Sequence, residues 1–426
     1  MNKILKNKSG NLILELRQES ASAWLTIKRS GRLIDEQEIL DLLDEAGIKT
    51  GFDEALEYIR RHSLEKEYDI PFPIALSHIQ EGTAQIKLNY HFDKSLTEEK
   101  LKRLDLYELS QLSYTEAGSI IAQYSDNIFE REGSIYDIFG ELIIPPEVDE
   151  DEAFALAGNN VSYLAREYAA EKSGYPYIDN KGRICILDSY ICQVQDLPSL
   201  GAIRSPLALT LVGDLKGYNI AVANRLIVQG SLMDCSVFCE KDLVVEGEII
   251  DCKHAGIQVL GSLQLRSASG SRLLVRQNLE FSGNIQDSEL YIDGDIRGTT
   301  GESAILGGIT QASGNIDIAI AGGKDQTELE IAISPFYRAL LMQMTKEMVR
   351  LRQEDDEDAI NSLQERIKRT EAELDSQLNL FLKRSPEEKR SITIREQVQA
   401  NTVFRILKQF YHIKNPQKGI SLLEKE

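Results

Sequence analysis

At 426 residues the chain is too long for one ordinary core, and 42% hydrophobic with 27% charged residues describes a folded, soluble class of protein. A net charge of −20 offers no basic field to a phosphate backbone, so nucleic acid is not an expected partner. No run reaches the ~18 apolar residues of a membrane span. The start, MNKILKNKSGN, has no apolar h-region, so the expected location is the cytoplasm.

Apolar alternation at Leu12, Leu14, Leu16 and at Ala23, Leu25, Ile27 predicts a hairpin. DEQEILDLLDEAGI (35–48) predicts a helix with Ile39, Leu42 and Leu43 on one face and Gly47 as its stop. A second helix is expected from Phe52 to His62, with Asp53 as N-cap. Strands at 73–79 and 84–92 complete an α+β module over residues 1–104. Residues 105–150 then read as a small β-rich module with Gly118, Gly133 and Gly140, closed by Pro145, Pro146 and the acidic EVDEDEA. Those glycines fit neither GxGxxG nor a P-loop, so they are turn glycines. Small strands are expected over 158–187.

One seven-residue phrase then returns six times between 207 and 322: LTLVGDL, LIVQGSL, LVVEGEI, IQVLGSL, LEFSGNI and LYIDGDI. Each alternates apolar with polar residues around a glycine, as a half-buried strand ending in a turn or a close backbone approach does. Apolar positions also recur every six residues, as in Ile220, Leu226 and Leu232. This pattern predicts a right-handed β-solenoid (β-helix) over 158–334, in a mainly β chain with an N-terminal α+β region. The irregular glycine spacing predicts coils of different length. Asp214, Asp242, Asp251 and Asp295 are spread along it and are explained by turns.

After the solenoid the period lengthens to three and a half. Tyr337, Leu341, Met344, Met348 and Leu351 form one seam, the phase breaks at EDDED (354–358), and Ile360, Leu363, Ile367, Thr370 and Leu374 form a second. Strand patterns return at 391–398 and 402–413, so residues 335–390 are expected as an antiparallel coiled-coil hairpin inserted ahead of strands (391–426) that complete the solenoid. Leu340, Met342 and Val349 lie off the first seam, and they are the candidate partner-binding residues. Cys185, Cys192, Cys235, Cys239 and Cys252 form no CxxC pair and read as buried free thiols; the five histidines, His254 among them, have no metal spacing. Neither a catalytic residue, a cofactor nor a metal is expected.

The order of parts resembles the flagellar assembly protein A family. The resemblance rests on EILDLLDEAGIKTGF, AGSIIAQYSDNIFEREGSIYDIFGELI, GNNV, the six glycine phrases and ITIREQVQANTVFRI, and it covers essentially the whole chain. ALSHIQEGTAQIKLNY departs from the family in lacking glycine-rich turns between its two strands. The resemblance implies a non-enzymatic scaffold in flagellar assembly or polar organisation, with protein partners or a second copy of the chain held through the hairpin. A remoter likeness to the β-helical domain of the septum-site inhibitor family implies a cell-division alternative. A solenoid enzyme, acyltransferase or polysaccharide-cleaving, is the third reading.

Overall fold

The six-residue beat is one side of a three-sided coil. In the computed structural model Ile220, Leu226 and Leu232 lie in three successive parallel ladders, and Val237, Leu243 and Ile249 sit directly beside them one coil later. The structure describes residues 3–17, 22–29, 34–65, 68–77, 86–125, 136–143, 147–197, 201–354, 356–384 and 389–424. They fall into two units, one of residues 1–95, 117–171 and 177–185, the other of residues 96–116, 172–176 and 186–426.

In the first unit β1 (Lys3–Lys6), β2 (Leu12–Arg17), β3 (Ser22–Ile27) and β4 (Pro71–Leu76) form an antiparallel sheet in that order. Leu14 stands opposite Leu25, so the alternating leucines share one face. Helices α1 (Glu36–Ala46) and α2 (Phe52–Glu65) bury it through Ile39, Leu42, Leu43 and Ile59. Asp35 caps α1 by accepting the Gln37 N–H, and Gly47 ends it at φ 78°. Helix α2 starts from Gly51, whose carbonyl accepts the Ala55 N–H, so Asp53 lies inside the first turn and is not the cap. Gly51 has φ +84°, and a Cβ there would stand 2.2 Å from the Ile74 carbonyl oxygen, which leaves no alternative to glycine.

The expected strand at 84–92 is β5 (Leu88–Tyr90), and it does not join β4. Residues 96–116 belong to the second unit and carry α3 (Glu98–Leu101) and α4 (Leu106–Ser110), the latter inside the stretch expected as a β-rich module. The local signal there is a capping box: Asp105 accepts the Glu108 N–H and the Glu108 carboxylate accepts the Asp105 N–H. The first unit then resumes with β6 (Ile120–Tyr124), α5 (Glu150–Ala155), β7 (Val161–Leu164) and β8 (Glu167–Ala170), which with β5 make a sheet ordered β5-β6-β8-β7.

The solenoid makes about seven turns between residues 189 and 331. Ladder A carries its inward residue at 209, 226, 243, 263, 279, 296 and 316, so a coil is 16 to 20 residues long. Ladder B stacks Leu215, Leu232, Ile249, Ala268 and Ile285; ladder C stacks Ile220, Val237, Ile257, Leu273 and Leu290. These side chains fill one continuous core. The six glycine phrases do not mark one corner. Gly213, Gly230, Gly247 and Gly283 turn from ladder A to B, whereas Gly261 and Gly294 turn from C to A. Both corners stack backbone on backbone: a Cβ on Gly230 would stand 2.2 Å from the Gly213 carbonyl oxygen, and one on Gly294 2.6 Å from that of Gln277. Two corners sharing one requirement account for most of the irregular glycine spacing.

Candidate interaction surfaces

The insertion leaves the solenoid at the corner between ladders C and A. Helix α6 (Pro335–Glu354) runs out and α7 (Glu357–Lys383) runs back, with Leu351 and Leu363 near the tip and the Thr370 hydroxyl 3.8 Å from the Met344 sulfur lower down. The phase break at 354–358 falls where α6 ends and α7 begins, and Asp356 caps α7 by accepting the Ala359 N–H. Met344, Met348, Leu351, Leu363 and Thr370 are buried between the helices.

The base of α6 is buried on more than its seam. Phe336, Ala339 and Leu340 pack with Leu274, an outward residue of ladder C that is fully buried, and with Tyr291 beside it. The Asp293 carboxylate, at the end of the next ladder C strand, accepts the Phe336 N–H at 2.9 Å and so anchors the start of the helix. Burial pushes this carboxyl up to about 6, against the opposing pull of the Phe336 N–H and of Arg276. Arg276 also pairs with Glu373 on α7 at 3.8 Å. Of the three candidate residues, then, Leu340 is occupied by the solenoid, while Met342 and Val349 are 56% and 55% exposed. Met342 and Lys346 line a cleft of about 310 Å³ between α6 and the solenoid, opposite Arg272 and Glu289.

Three of the four aspartates singled out along the solenoid accept backbone N–H groups of the next coil. Asp214 accepts the Ser231 N–H at 2.7 Å, Asp242 that of Ser262 at 2.8 Å and Asp295 that of Asn315 at 2.6 Å. Asp251 takes a left-handed conformation (φ 54°) at the B-to-C corner, a place held in other coils by Gly217, Asp234, Gly270 and Asp287. The next residue inward at that corner forms a second stack: the Cys235 N–H donates to Cys252 Sγ, the Cys252 N–H to Ser271 Oγ and the Ser271 N–H to Ser288 Oγ. All five cysteines are free and buried, and burial holds the Cys252 thiol up at about 11. His254 is exposed. Among the described residues no group of three or more His, Cys, Asp or Glu could hold a metal ion, and no helix is long and apolar enough to cross a membrane.

Sequence reasoning missed the solenoid's N-terminal end. Residues 96–116 lie there: Leu106 packs on the core, and the Tyr190 hydroxyl donates to the Leu104 carbonyl at 2.7 Å. A cavity of about 960 Å³ opens between this segment and the first coil. The capping box at Asp105 could have announced the helix, though nothing local announces where it docks.

Two family models match this architecture. The Flagellar Assembly Protein A β-solenoid domain matches residues 199–368 and the Flagellar Assembly Protein A N-terminal region matches residues 12–181. The chain belongs to the flagellar assembly protein A family. The solenoid match runs through α6 and ends within α7, at residue 368. Comparison with curated proteins and with solved structures gives no match.

Proposed function

We propose that this member of the flagellar assembly protein A family is a non-enzymatic cytoplasmic scaffold in flagellar assembly. The helical hairpin is its working end, holding another flagellar protein or a second copy of the chain. One observation carries this reading: the hairpin is an insertion that the ladders bypass, since Ile316 pairs with Ile392 and Leu329 with Phe404 on either side of it. An element that interrupts no ladder is free to serve recognition, and it carries Met342 and Val349 exposed above a base fixed by Leu340. Asp214, Asp242 and Asp295, three acids spread along the solenoid, are engaged with neighbouring coils' N–H groups.

The test is genetic. Cells lacking the chain are expected to carry fewer flagella by electron microscopy. The full chain restores them, and a chain with 336–390 replaced by a short Gly/Ser linker does not. Normal flagellation without the chain would overturn the role in assembly, and rescue by the shortened chain would overturn the role of the hairpin.

A further inference from the structure

The two ends of the solenoid are finished differently. At the C-terminal end the last strands of ladders A and C, Ser391–Val398 and Thr402–Ile406, are covered by antiparallel strands, Gln417–Leu423 and Gln409–Ile413. These covers pair the edges of the last parallel coil and leave a short antiparallel strand outermost. At the N-terminal end, Ser189–Gln193 pairs with Ala208–Val212 and Ala202–Ser205 pairs with Asn219–Val222. Among the described residues, neither of these first-coil strands has a second strand in register on its outer side.

The direction of the outer groups follows from the ladder. The Ala208 N–H donates to the Asp188 carbonyl, the Asn219 N–H to that of Gly201 and the Ala223 N–H to that of Ser205. Backbone groups of a strand alternate sides, so residues 190 and 192, and likewise 203, face the next coil. The N–H and C=O of Ile191, Ala202 and Arg204 face the end of the solenoid. There they border the 960 Å³ cavity, which is lined by four consecutive residues of the first strand, 190–193, and by 201–204 at the start of the second. Side chains alternate across a strand, so four in a row line one cavity only through their backbone edge.

We propose that this mouth binds an extended peptide segment of a partner protein, which adds a strand along the open edge of Ser189–Gln193. A row of outward amide and carbonyl groups is matched by another extended main chain. Beneath that strand the floor is apolar, formed by Tyr190, Cys192, Leu106 and Leu197. Every second residue of the peptide is therefore apolar, as in ladder A itself. The rim carries Lys102, Arg103 and Arg204 against Asp105 and Asp196. Asp105 is held by the α4 cap, and Lys102 and Arg103 make only exposed pairs with Glu98 and Glu99. Among the described residues no carboxylate pairs with Arg204. The peptide's outward positions accordingly include an acid. This site does not rest on the hairpin reading, and removal of 336–390 leaves it in place.

The probe is a fluorescent, N-acetylated peptide with the sequence of residues 208–214, ALTLVGD, which has the alternation and one acid. Titrated with the full chain, its anisotropy is expected to saturate at roughly micromolar concentration. Ile191→Pro removes an outward N–H and leaves the ladder bonds intact, since proline is accepted at a strand edge. It is expected to weaken binding about tenfold or more with little change in Tm. Arg204→Glu, on an exposed outward side chain, weakens binding without touching the backbone and carries the test if Ile191→Pro fails to fold. Absence of saturable binding, or equal affinity for wild type and Arg204→Glu, would overturn the proposal. So would a dimer in sedimentation that Ile191→Pro disperses, because the occupant would then be a second copy of this chain.

Discussion

The side-chain oxygen of Asn315 accepts the backbone N–H of Ser391 at 2.9 Å, although 76 positions separate the two residues. The same bond joins Asn278 to Asp295 and Asp295 to Asn315 in the uninterrupted coils. A ladder of side chains therefore runs up the C-to-A corner and crosses the insertion without losing a rung. To the solenoid, the hairpin is an enlarged corner loop.

This corner ladder has a measurable energy. Asn315→Ala leaves the Ser391 N–H without its acceptor and is expected to cost about 1 kcal/mol, with faster hydrogen exchange at Ser391. Asp295→Asn keeps an acceptor oxygen for the Asn315 N–H and is expected to be nearly neutral. Equal losses of stability for the two variants would argue that the corner is held by packing alone.

Core and surface registers separate sharply within one strand. Leu243 is fully buried and Glu246 is exposed. Leu243→Asp places an unpaired carboxylate in the stack and is expected to cost on the order of 3–5 kcal/mol. Glu246→Lys stays within about 0.5 kcal/mol of wild type. Urea midpoints of the two variants decide the matter, and coincident midpoints would contradict the inward assignment of Leu243.

The inward stacks were legible because burial of alternate residues is a local pattern, and the six-residue beat marks inward positions before any contact is known. The corners were legible only in part. Asp234, Asp251 and Asp287 occupy the same left-handed position as Gly217 and Gly270, so a search for glycine alone sees two of these five turns. Leu340 lies off the helical seam because Leu274 points out of ladder C, and whether an outward leucine meets a helix depends on a fold 60-odd residues long that no local window contains. The docking of Leu106 on the first coil is likewise a long-range contact. Met342 and Val349, by contrast, are exposed.

Asp293 gives the base of the hairpin a pH dependence. Its folded carboxyl titrates near 6, above the ordinary 3.8, because burial disfavours the charged form. The folded chain thus holds a proton that the unfolded chain has released between those values, and this group's contribution to stability falls as pH rises from about 4 to 6. Asp293→Asn keeps an oxygen for the Phe336 N–H and has no charge to bury. It is expected to stabilise the protein above pH 6, by on the order of 1–3 kcal/mol, and to remove this part of the slope. Thermal melts at pH 4.5 and 7 compare the two proteins; an unchanged difference in the variant would contradict the assignment.

The thiols offer an independent check of the corner stack. All five are buried, and burial raises Cys235, Cys239 and Cys252. Iodoacetamide at pH 8 is expected to leave the native protein essentially unlabelled in minutes and to modify all five cysteines in guanidinium. Rapid labelling of Cys235 or Cys252 in the native state would show that the B-to-C corner is open.

The most direct test of the central claim replaces residues 336–390 with a short Gly/Ser linker and follows unfolding by far-UV circular dichroism. A β-rich spectrum and one cooperative transition are expected, with Tm lowered by several degrees because Leu274 and Tyr291 lose the cover of Phe336 and Leu340. Loss of the β-rich spectrum, or of the cooperative transition, would show that the helices build the solenoid and are not carried by it.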